Sequence, residues 1–264
     1  MNKDLTIGPP GRILIQFTLP LFISVMFQQF YNIADSVIAG KFAGEEALAA
    51  IGASYPITMI FMAVAIGCQI GCSVVISKYF GSKNFAKTKV CMTTSLIAGF
   101  ILSSLLTILG VVFSPSLMRI VNTPENIFSA GNLYLKIYTG GFVFLFLYNV
   151  TTGIFNSLGD SKTPLYLLIA SSMGNIILDA IFVIIFKWNI AGIAWATFIA
   201  QSIASLVGLF ILKKRMNTLH THESTPLFGW QELKEITAIA FPSILQQSFI
   251  SIGNLFVQYR VNSF

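Results

Sequence analysis

The feature that most constrains this chain is a series of long apolar stretches separated by short polar segments. Each stretch exceeds the length of about 20 residues that a helix needs to cross the roughly 30 Å hydrocarbon core of a bilayer. The predicted spans are Ile13–Ile38, Leu48–Ile76, Val90–Phe113, Leu133–Leu158, Leu165–Phe186 and Ile190–Leu212. A seventh begins at Ile236 and runs toward the last residue of the sequence. The sequence therefore predicts an all-α polytopic membrane protein.

Composition excludes the common soluble classes of protein. Hydrophobic residues make up 55% of the chain and charged residues only 10%, whereas an ordinary soluble domain has about 25% charged residues. So few charges could not cover the surface of a soluble fold, but lipid can cover an apolar one. The formal net charge of +6 is spread over the connections between spans. We therefore expect the chain to contact the lipid bilayer and not nucleic acid.

Positive charge is distributed unevenly between the two sets of connections. If the N-terminus is cytoplasmic, the Lys and Arg residues on that side are Lys3, Arg12, Lys78, Lys83, Lys87, Lys89, Lys162, Lys213, Lys214, Arg215 and Lys234. The remaining ones are Lys41, Arg119, Lys136, Lys187 and Arg260. Because cytoplasmic loops carry an excess of Lys and Arg, we expect a cytoplasmic N-terminus and a location in the cell membrane, in a bacterium the inner membrane.

A weak internal repeat predicts the domain organisation. Setting Pro20 against Pro242 also aligns Asn32 with Asn254. Proline inside a helix and asparagine at membrane depth are both costly, so these matches are more informative than matches between apolar residues. The predicted units are a six-helix transmembrane lobe over residues 1–215, a cytoplasmic linker over 216–235, and the first helix of a second lobe over 236–264. The rest of that second lobe is expected to be a missing part of the same protein.

Only two acidic residues lie deep inside the predicted spans, Asp35 and Asp179. A carboxylate at the bilayer centre costs about 2.5–3.5 kcal/mol on insertion scales, so it normally faces a cavity or a partner. Each acid belongs to a polar stripe at helical spacing, and a third stripe follows the sixth span. The stripes are Gln28–Asn32–Asp35, Ser171–Asn175–Asp179 and Thr197–Gln201–Ser205. The three could meet in one oxygen-rich cleft.

Two interpretations of these stripes compete. Ser171, Gln201 and Ser205 are most simply explained as groups that join neighbouring helices by hydrogen bonds. For the two acids ion binding is favoured, since Asn or Ser would join helices without introducing a charge. Two carboxylates together with the side-chain oxygens of Asn175 and Thr197 suit Na⁺, and either acid could instead carry a proton.

Other candidate sites are weaker. The three cysteines are expected to pack as small apolar residues, and His220, His222 and Glu223 are expected to lie in a solvated loop rather than to bind a metal. Two membrane acids could also form the dyad of an intramembrane aspartyl protease. That family carries Gly-x-Gly-Asp, however, and Ser157-Leu-Gly-Asp160 lacks the first glycine and lies between two spans. We therefore do not expect an enzyme.

Motifs along the whole chain resemble those of the multidrug and toxic compound extrusion (MATE) family. In the first span and after it they are Asn32-Ile-Ala-Asp35-Ser-Val-Ile-Ala-Gly-Lys-Phe-Ala-Gly44 and Ala47-Leu-Ala-Ala-Ile-Gly52. Further along they are Gly159-Asp-Ser-Lys-Thr-Pro164, Asn175-Ile-Ile-Leu-Asp179 and Gly192-Ile-Ala-Trp-Ala-Thr197. The resemblance implies a transporter of twelve helices in two lobes. Such a protein exports organic, often cationic, drugs or toxic compounds by alternating access, in exchange for Na⁺ or H⁺ and without another cofactor.

The resemblance also implies site residues. Carried over by motif, the first-lobe cation site falls on Asp35, Asn175, Asp179 and Thr197, and the proline that bends the first helix falls on Pro20. The candidates for the substrate cavity are Gln28, Asn32, Tyr138 and Asn149. An alternative function is that of a lipid-linked oligosaccharide flippase, which has a related two-lobe architecture. Such proteins usually carry a cationic cavity, whereas the spans of this chain hold acids.

Overall fold

The computed structural model describes residues 9–219 and 225–262, with side chains as far as residue 253, and all regular structure within them is helical. The helices are α1 (Pro10–Ile38), α2 (Glu45–Gly81), α3 (Phe85–Ile120), α4 (Glu125–Gly140), α5 (Phe142–Ser157), α6 (Lys162–Asp179), α7 (Asn189–Asn217) and α8 (Trp230–Asn262). With α4 and α5 taken as one broken span, seven segments are long and apolar enough to cross a membrane. The predicted all-α polytopic fold, six spans followed by a seventh, is confirmed.

The predicted fourth span is broken into two helices rather than continuous. α4 and α5 meet at Gly141 with a bend of 47°. A Cβ atom at Gly141 would lie 2.7 Å from Cδ2 of Phe198, so α7 approaches the backbone too closely for a side chain there. α4 also begins at Glu125, well before the predicted start at Leu133, because the polar first turn of a helix carries no apolar signal.

The packed centre of the molecule is built around α2, which contacts α3, α4, α5 and α8. Aromatic rings of α5 fill the space beside it. The rings of Phe61 and Phe142 meet edge to face at 5.0 Å, and those of Phe142 and Phe146 at 5.8 Å. Phe142 and Phe146 are fully buried. Dispersion contacts of this kind, rather than the exclusion of water, hold helices together in lipid.

α8 lies along α2 over a glycine seam. Cβ atoms at Gly67 and Gly71 would lie 2.4–2.9 Å from Ile244 and Ala240, partly from their backbone atoms. At one end of this interface the Tyr79 hydroxyl donates a hydrogen bond to Glu235 at 2.8 Å. α8 begins at Trp230, before the predicted boundary at residue 235. The polar connection after α7 therefore covers only residues 218–229. The division into two lobes stays a prediction, and His220, His222 and Glu223 lie outside the described residues.

α1 is the least packed span. Pro20 is its one buried residue among those described, and the helix packs mainly against α6. After Ile38 the helix continues as a π-helical turn, Ala39–Ala43, which ends at Gly44 with φ +94°. α6 continues in the same way into a second π-helical turn, Ala180–Ile185. The anchored part of α1 is thus its C-terminal end.

A candidate cation-binding site between three helices

Polar side chains from α1, α6 and α7 converge on one small cavity of about 40 Å³. Its polar lining residues are Gln28, Tyr31, Ser171, Ser172, Asn175, Thr197 and Gln201. Five of them, all except Tyr31 and Ser172, belong to the three predicted polar stripes, because residues four apart share a face of a helix. The cavity is large enough to hold more than one water-sized ligand. The two acids stand one turn beyond it, at Asp35 on α1 and Asp179 on α6.

The carboxyl groups of Asp35 and Asp179 face each other within hydrogen-bonding reach. Asp179 is fully buried and Asp35 is half-buried. No N–H or O–H of the described residues serves either oxygen of Asp179 or Oδ1 of Asp35. Two ionised carboxylates cannot hydrogen-bond and repel each other strongly at low dielectric. The contact therefore requires either a proton on one of the carboxyl groups or a cation between them.

Asn175 and Thr197 supply neutral oxygens beside the acids. The Asn175 side-chain amide donates to Oγ1 of Thr197 at 3.5 Å, at the outer limit of a hydrogen bond. This contact orients the amide so that its oxygen, Oδ1, is buried without a donor among the described residues. The structure thus brings together all four residues that the sequence assigned to a cation site. Their oxygens are of the hard type that Na⁺ prefers.

Two tyrosines belong to this cluster although sequence reasoning missed them. The Tyr31 side chain lies close to Thr197 and to both acids, and Tyr134 of α4 also lies close to both acids. Tyr31 could have been found, because it stands three residues after Gln28 and four before Asp35, on the same helix face. Tyr134 gave no comparable signal, since it comes from a helix without a polar stripe.

The four candidates for the substrate cavity are not brought together. Only Gln28 lines the cavity. Asn32 is exposed and donates to Oε1 of Gln29 at 3.2 Å. The ring of Tyr138 stacks on Tyr134 at 6.2 Å. The side-chain amide of Asn149 donates to its own helix, at the Leu145 carbonyl, at 2.8 Å.

Pro20 lies in the interior of α1, fifteen residues before Asp35. Proline has no N–H to donate, so one rung of the helical hydrogen-bond ladder is missing there. The hydroxyl of Ser24 donates to the Pro20 carbonyl at 2.8 Å. This hydrogen bond lies on the carbonyl side of the proline and does not replace the missing N–H. The structure thus places a weak point in a helix that has few other contacts.

Each acid is followed by a π-helical turn. Asp35 stands four residues before the turn that starts at Ala39, and Asp179 stands directly before the turn that starts at Ala180. The two turns touch, and Ala39 packs with Val183 in a small buried cluster. Because π-helical turns are rare and occur frequently at functional sites, this pairing marks the acid pair as more than a packing feature.

Among the described residues, metal-ligating side chains do not cluster at another site. No group of three or more His, Cys, Asp and Glu side chains in that part of the chain could hold a metal ion. The three cysteines are free thiols, and the Cys72 thiol points to the Gln69 carbonyl of its own helix at 3.1 Å. The oxygens around the acid pair are chemically able to bind a proton or a small cation.

Comparison with known proteins gives a consistent result. The family model described as MatE matches residues 20–181. The "Probable multidrug resistance protein YoeA" of Bacillus subtilis is 28% identical over 260 residues, 96% of this chain and 56% of YoeA. A "FAD transporter" of Shewanella oneidensis is 31% identical over 215 residues, 79% of this chain and 47% of that protein. A solved structure of a MOP superfamily transporter from Pyrococcus furiosus gives a TM-score of 0.88 at 27% identity, over 97% of this chain and 56% of that one.

The chain spans about half the length of the curated relatives it matches. The family match covers more than half of the chain and includes α1 from Pro20 onward, both acids and the helices between them. The matched family consists of membrane transporters and not of enzymes. The multi-pass membrane fold and the family match agree, and the chain belongs to the MatE family of multidrug transporters.

Proposed function

We propose that the chain provides the cation-coupling lobe of an exporter that expels organic, often cationic, compounds by alternating access, driven by the entry of Na⁺ or H⁺. The coupling cation binds at Asp35 and Asp179, assisted by Asn175 and Thr197. The lobe works together with a second lobe of the same protein, as in a two-lobe transporter built from repeats.

The observation that carries the proposal is the contact between two membrane-buried carboxyl groups that no described donor serves. Polar groups that only join helices make hydrogen bonds worth around 0.6 kcal/mol on average. A buried acid pair is far more costly than such bonds can offset, so its presence in a membrane points to ion or proton handling. The nearby oxygens of Asn175 and Thr197 are of no use to a proton carrier but complete the shell of Na⁺.

Cation binding is expected to change how α1 is held. With the cation bound, α1 and α6 are drawn together at the acid pair. With it released, the carboxylates repel and α1 separates from α6, bending at Pro20, where the ladder is already incomplete. Since α1 has few other contacts, a small change in free energy is enough to shift its position. This movement reshapes the cavity and expels the substrate.

The charge around the acid pair favours cationic over anionic partners. None of the cavity's described lining residues is Lys or Arg, whereas a flippase for anionic lipid-linked sugars needs a cationic cavity. The excess of Lys and Arg in one set of connections supports a cytoplasmic N-terminus. Export is then from the cytoplasm to the outside.

The proposal is tested in cells that lack their own drug exporters and produce the protein. The wild-type protein with both lobes should lower the accumulation of a fluorescent cationic dye, and an ionophore that collapses the Na⁺ and H⁺ gradients should restore it. Asp35→Asn keeps the shape of the side chain but removes its charge, so the variant should reach the membrane and fail to lower dye accumulation. Wild-type efflux by Asp35→Asn would show that the acid only supports the structure.

A further inference from the structure

We propose that Gln201, Ser205 and Thr151 form a second, hydrated polar site between α5 and α7, which the coupling cation occupies as it passes between the acid pair and the basic end of α7. The inference rests on the proposed function, because it concerns the route of the same cation.

The polar stripe of α7 continues past the acid pair. Thr197, Gln201 and Ser205 follow one another at intervals of four residues and share one face of the helix. Gln201 lines the cavity together with Asn175 and Thr197, and Ser205 lies one turn further, with 0% of its surface exposed. At a rise of 1.5 Å per residue, the path from Thr197 to Ser205 is about 12 Å long.

Three oxygens on this path have no hydrogen-bond partner within the described ranges, namely Oε1 of Gln201, Oγ of Ser205 and Oγ1 of Thr151. Many other Ser and Thr hydroxyls of the described helices donate back to a carbonyl of their own helix. Ser202, for example, donates to the Phe198 carbonyl at 2.7 Å. If Gln201 and Ser205 joined neighbouring helices, these oxygens would have partners on α5 or α6. Since buried polar groups in a membrane need partners, a bound ligand is the better explanation.

Thr151 brings α5 to the same face of α7. A Cβ atom at Gly208 would lie 3.4 Å from Cγ2 of Thr151 and 3.3 Å from Cδ1 of Leu167. Gly208 stands three residues after Ser205, so Thr151 packs beside the turn that carries Ser205. Thr151 is only 1% exposed, and its hydroxyl therefore lies inside the bundle and not against lipid.

The chemistry of the three groups suits a monovalent cation that keeps part of its water. Two hydroxyl oxygens and one amide oxygen are hard ligands without charge. They can replace some water molecules of Na⁺ or of a hydronium ion, but they cannot retain the cation as the carboxylates do. A site on a conduction path must bind strongly enough to be entered and weakly enough to be left. The acid pair thus holds the cation, and the hydroxyl site passes it on.

The test removes both hydroxyls with little change in volume. Thr151→Val with Ser205→Ala is compared with wild type in proteoliposomes containing the protein as its own cells produce it. Dye efflux is measured under an imposed Na⁺ gradient and, separately, an imposed pH gradient. We expect turnover to fall about tenfold, while the KM for the dye and equilibrium binding of the coupling cation stay unchanged. Thr151→Ser with Ser205→Thr keeps both hydroxyls and should recover most of the rate.

Ser202→Ala is the matched control, because it removes a hydroxyl of α7 that is already bonded within its helix. Wild-type turnover by the doubly substituted protein would overturn the inference, and so would a loss of equilibrium cation binding, which would mean that the hydroxyls support the acid pair structurally. Asp35→Asn in the same membranes separates the two proposals. If Asp35→Asn fails to transport and the double variant transports normally, only the route is wrong. If Asp35→Asn transports normally, the proposed function itself fails.

Discussion

At the scale of single residues, the site depends on how few donors surround its carboxyl groups. Asp35 and Asp179 lie close together, and two neutral groups of the same cluster, Asn175 and Thr197, contact one another at 3.5 Å. A cation or a proton can therefore compete for these oxygens without breaking strong hydrogen bonds. Which of the two binds is decided by the neutral oxygens, because a proton needs only one carboxyl group.

Thr197→Val separates the two ions. The variant keeps both acids and the shape of the side chain but removes one neutral oxygen. If Na⁺ is the coupling ion, we expect Na⁺-driven dye efflux to weaken about tenfold, as for the loss of one oxygen ligand, and Asn175→Leu should act in the same direction. In that case an imposed pH gradient without Na⁺ should drive little efflux. Full activity with a pH gradient alone, unaffected by Thr197→Val, would identify the proton as the ion.

Tyr31→Phe tests a residue that the sequence did not reveal. The change keeps the ring and removes the hydroxyl that lies beside Thr197 and the two acids. Loss of one polar group of this kind should weaken cation binding by about 0.5–1.5 kcal/mol, seen as a higher cation concentration at half-maximal efflux. Tyr55→Phe, at an exposed position of α2, is the control and should leave that concentration unchanged. Equal cation concentrations at half-maximal efflux for Tyr31→Phe and wild type would show that Tyr31 does not contribute to cation binding.

At this scale the sequence could predict the residues whose presence in a membrane helix costs free energy. Asp35 and Asp179 stood out because a charge in an apolar helix is expensive and therefore rare. Asn175 was predicted because it shares a helix face with Asp179. Thr197 was predicted because it belongs to a polar stripe and to the family motif. Tyr31 shares the helix face of Gln28 and Asp35 and could have been found, whereas nothing distinguished Tyr134 from a packing group in an apolar helix. Their roles became visible only when three helices were placed side by side.

At the scale of helices, the π-helical turns after the two acids are the least expected feature. A π-helical turn contains one residue more than an α-helical turn over the same hydrogen bonds, and no residue type requires it. The bend at Gly141 is similar, since Gly140-Gly141 permits a bend but the ring of Phe198 selects its place. Apolar length predicted that these spans exist, and tertiary contacts determined how they are broken.

Deleting Gly40 tests the first π-helical turn. Removing one residue from Ala39–Ala43 should convert the turn to α-helix and rotate Asp35 by about 100° relative to α2. The acid pair would then separate, and we expect cation-driven efflux to be lost while the protein still reaches the membrane. Deleting Lys83, in the turn between α2 and α3, is the control for a one-residue deletion. Normal efflux without Gly40 would show that the turn has no role in positioning Asp35.

The α2–α8 seam gives a second prediction for helices. Gly71→Val would force side-chain atoms against the backbone of Ala240, and overpacking of this kind costs about 1–3 kcal/mol. We expect a lower Tm for the purified protein in detergent. Gly52→Val places the same side chain in the same helix where no atom lies within 4 Å of the new Cβ, and it should change Tm much less. Equal losses of Tm for Gly71→Val and Gly52→Val would contradict close packing between α2 and α8 at Gly71.

At the scale of the whole molecule, packing indicates which helix faces meet lipid or another lobe, and charge indicates which connections lie in the cytoplasm. Large apolar side chains of α1, α3 and α8 remain exposed, as expected for surfaces that meet lipid or another lobe. Eleven of the sixteen Lys and Arg residues fall on one side of the predicted spans. This arrangement predicts orientation from sequence alone, but it does not predict which exposed face meets a partner lobe, because lipid and protein surfaces are equally apolar.

The orientation is tested by adding a short epitope at the N-terminus and a second one in the connection between α3 and α4. We expect only the second to be reached by antibody in intact cells, because eleven of the sixteen Lys and Arg then lie inside. Labelling of the N-terminal epitope in intact cells would show the opposite orientation.

Residues 1–264 produced alone should enter the membrane but not export dye, since alternating access needs two lobes.

The central claim is that Asp35 and Asp179 act as one cation site. The most direct measurement is gradient-driven dye efflux from proteoliposomes containing Asp35→Asn, Asp179→Asn or both changes. Glu125→Gln, which alters an acid in the first turn of α4, serves as the control. If the two carboxyls form one site, each single change should abolish coupling as fully as the double change, with Glu125→Gln at the wild-type rate. Wild-type coupling in either single variant, or losses that simply multiply in the double variant, would contradict the account.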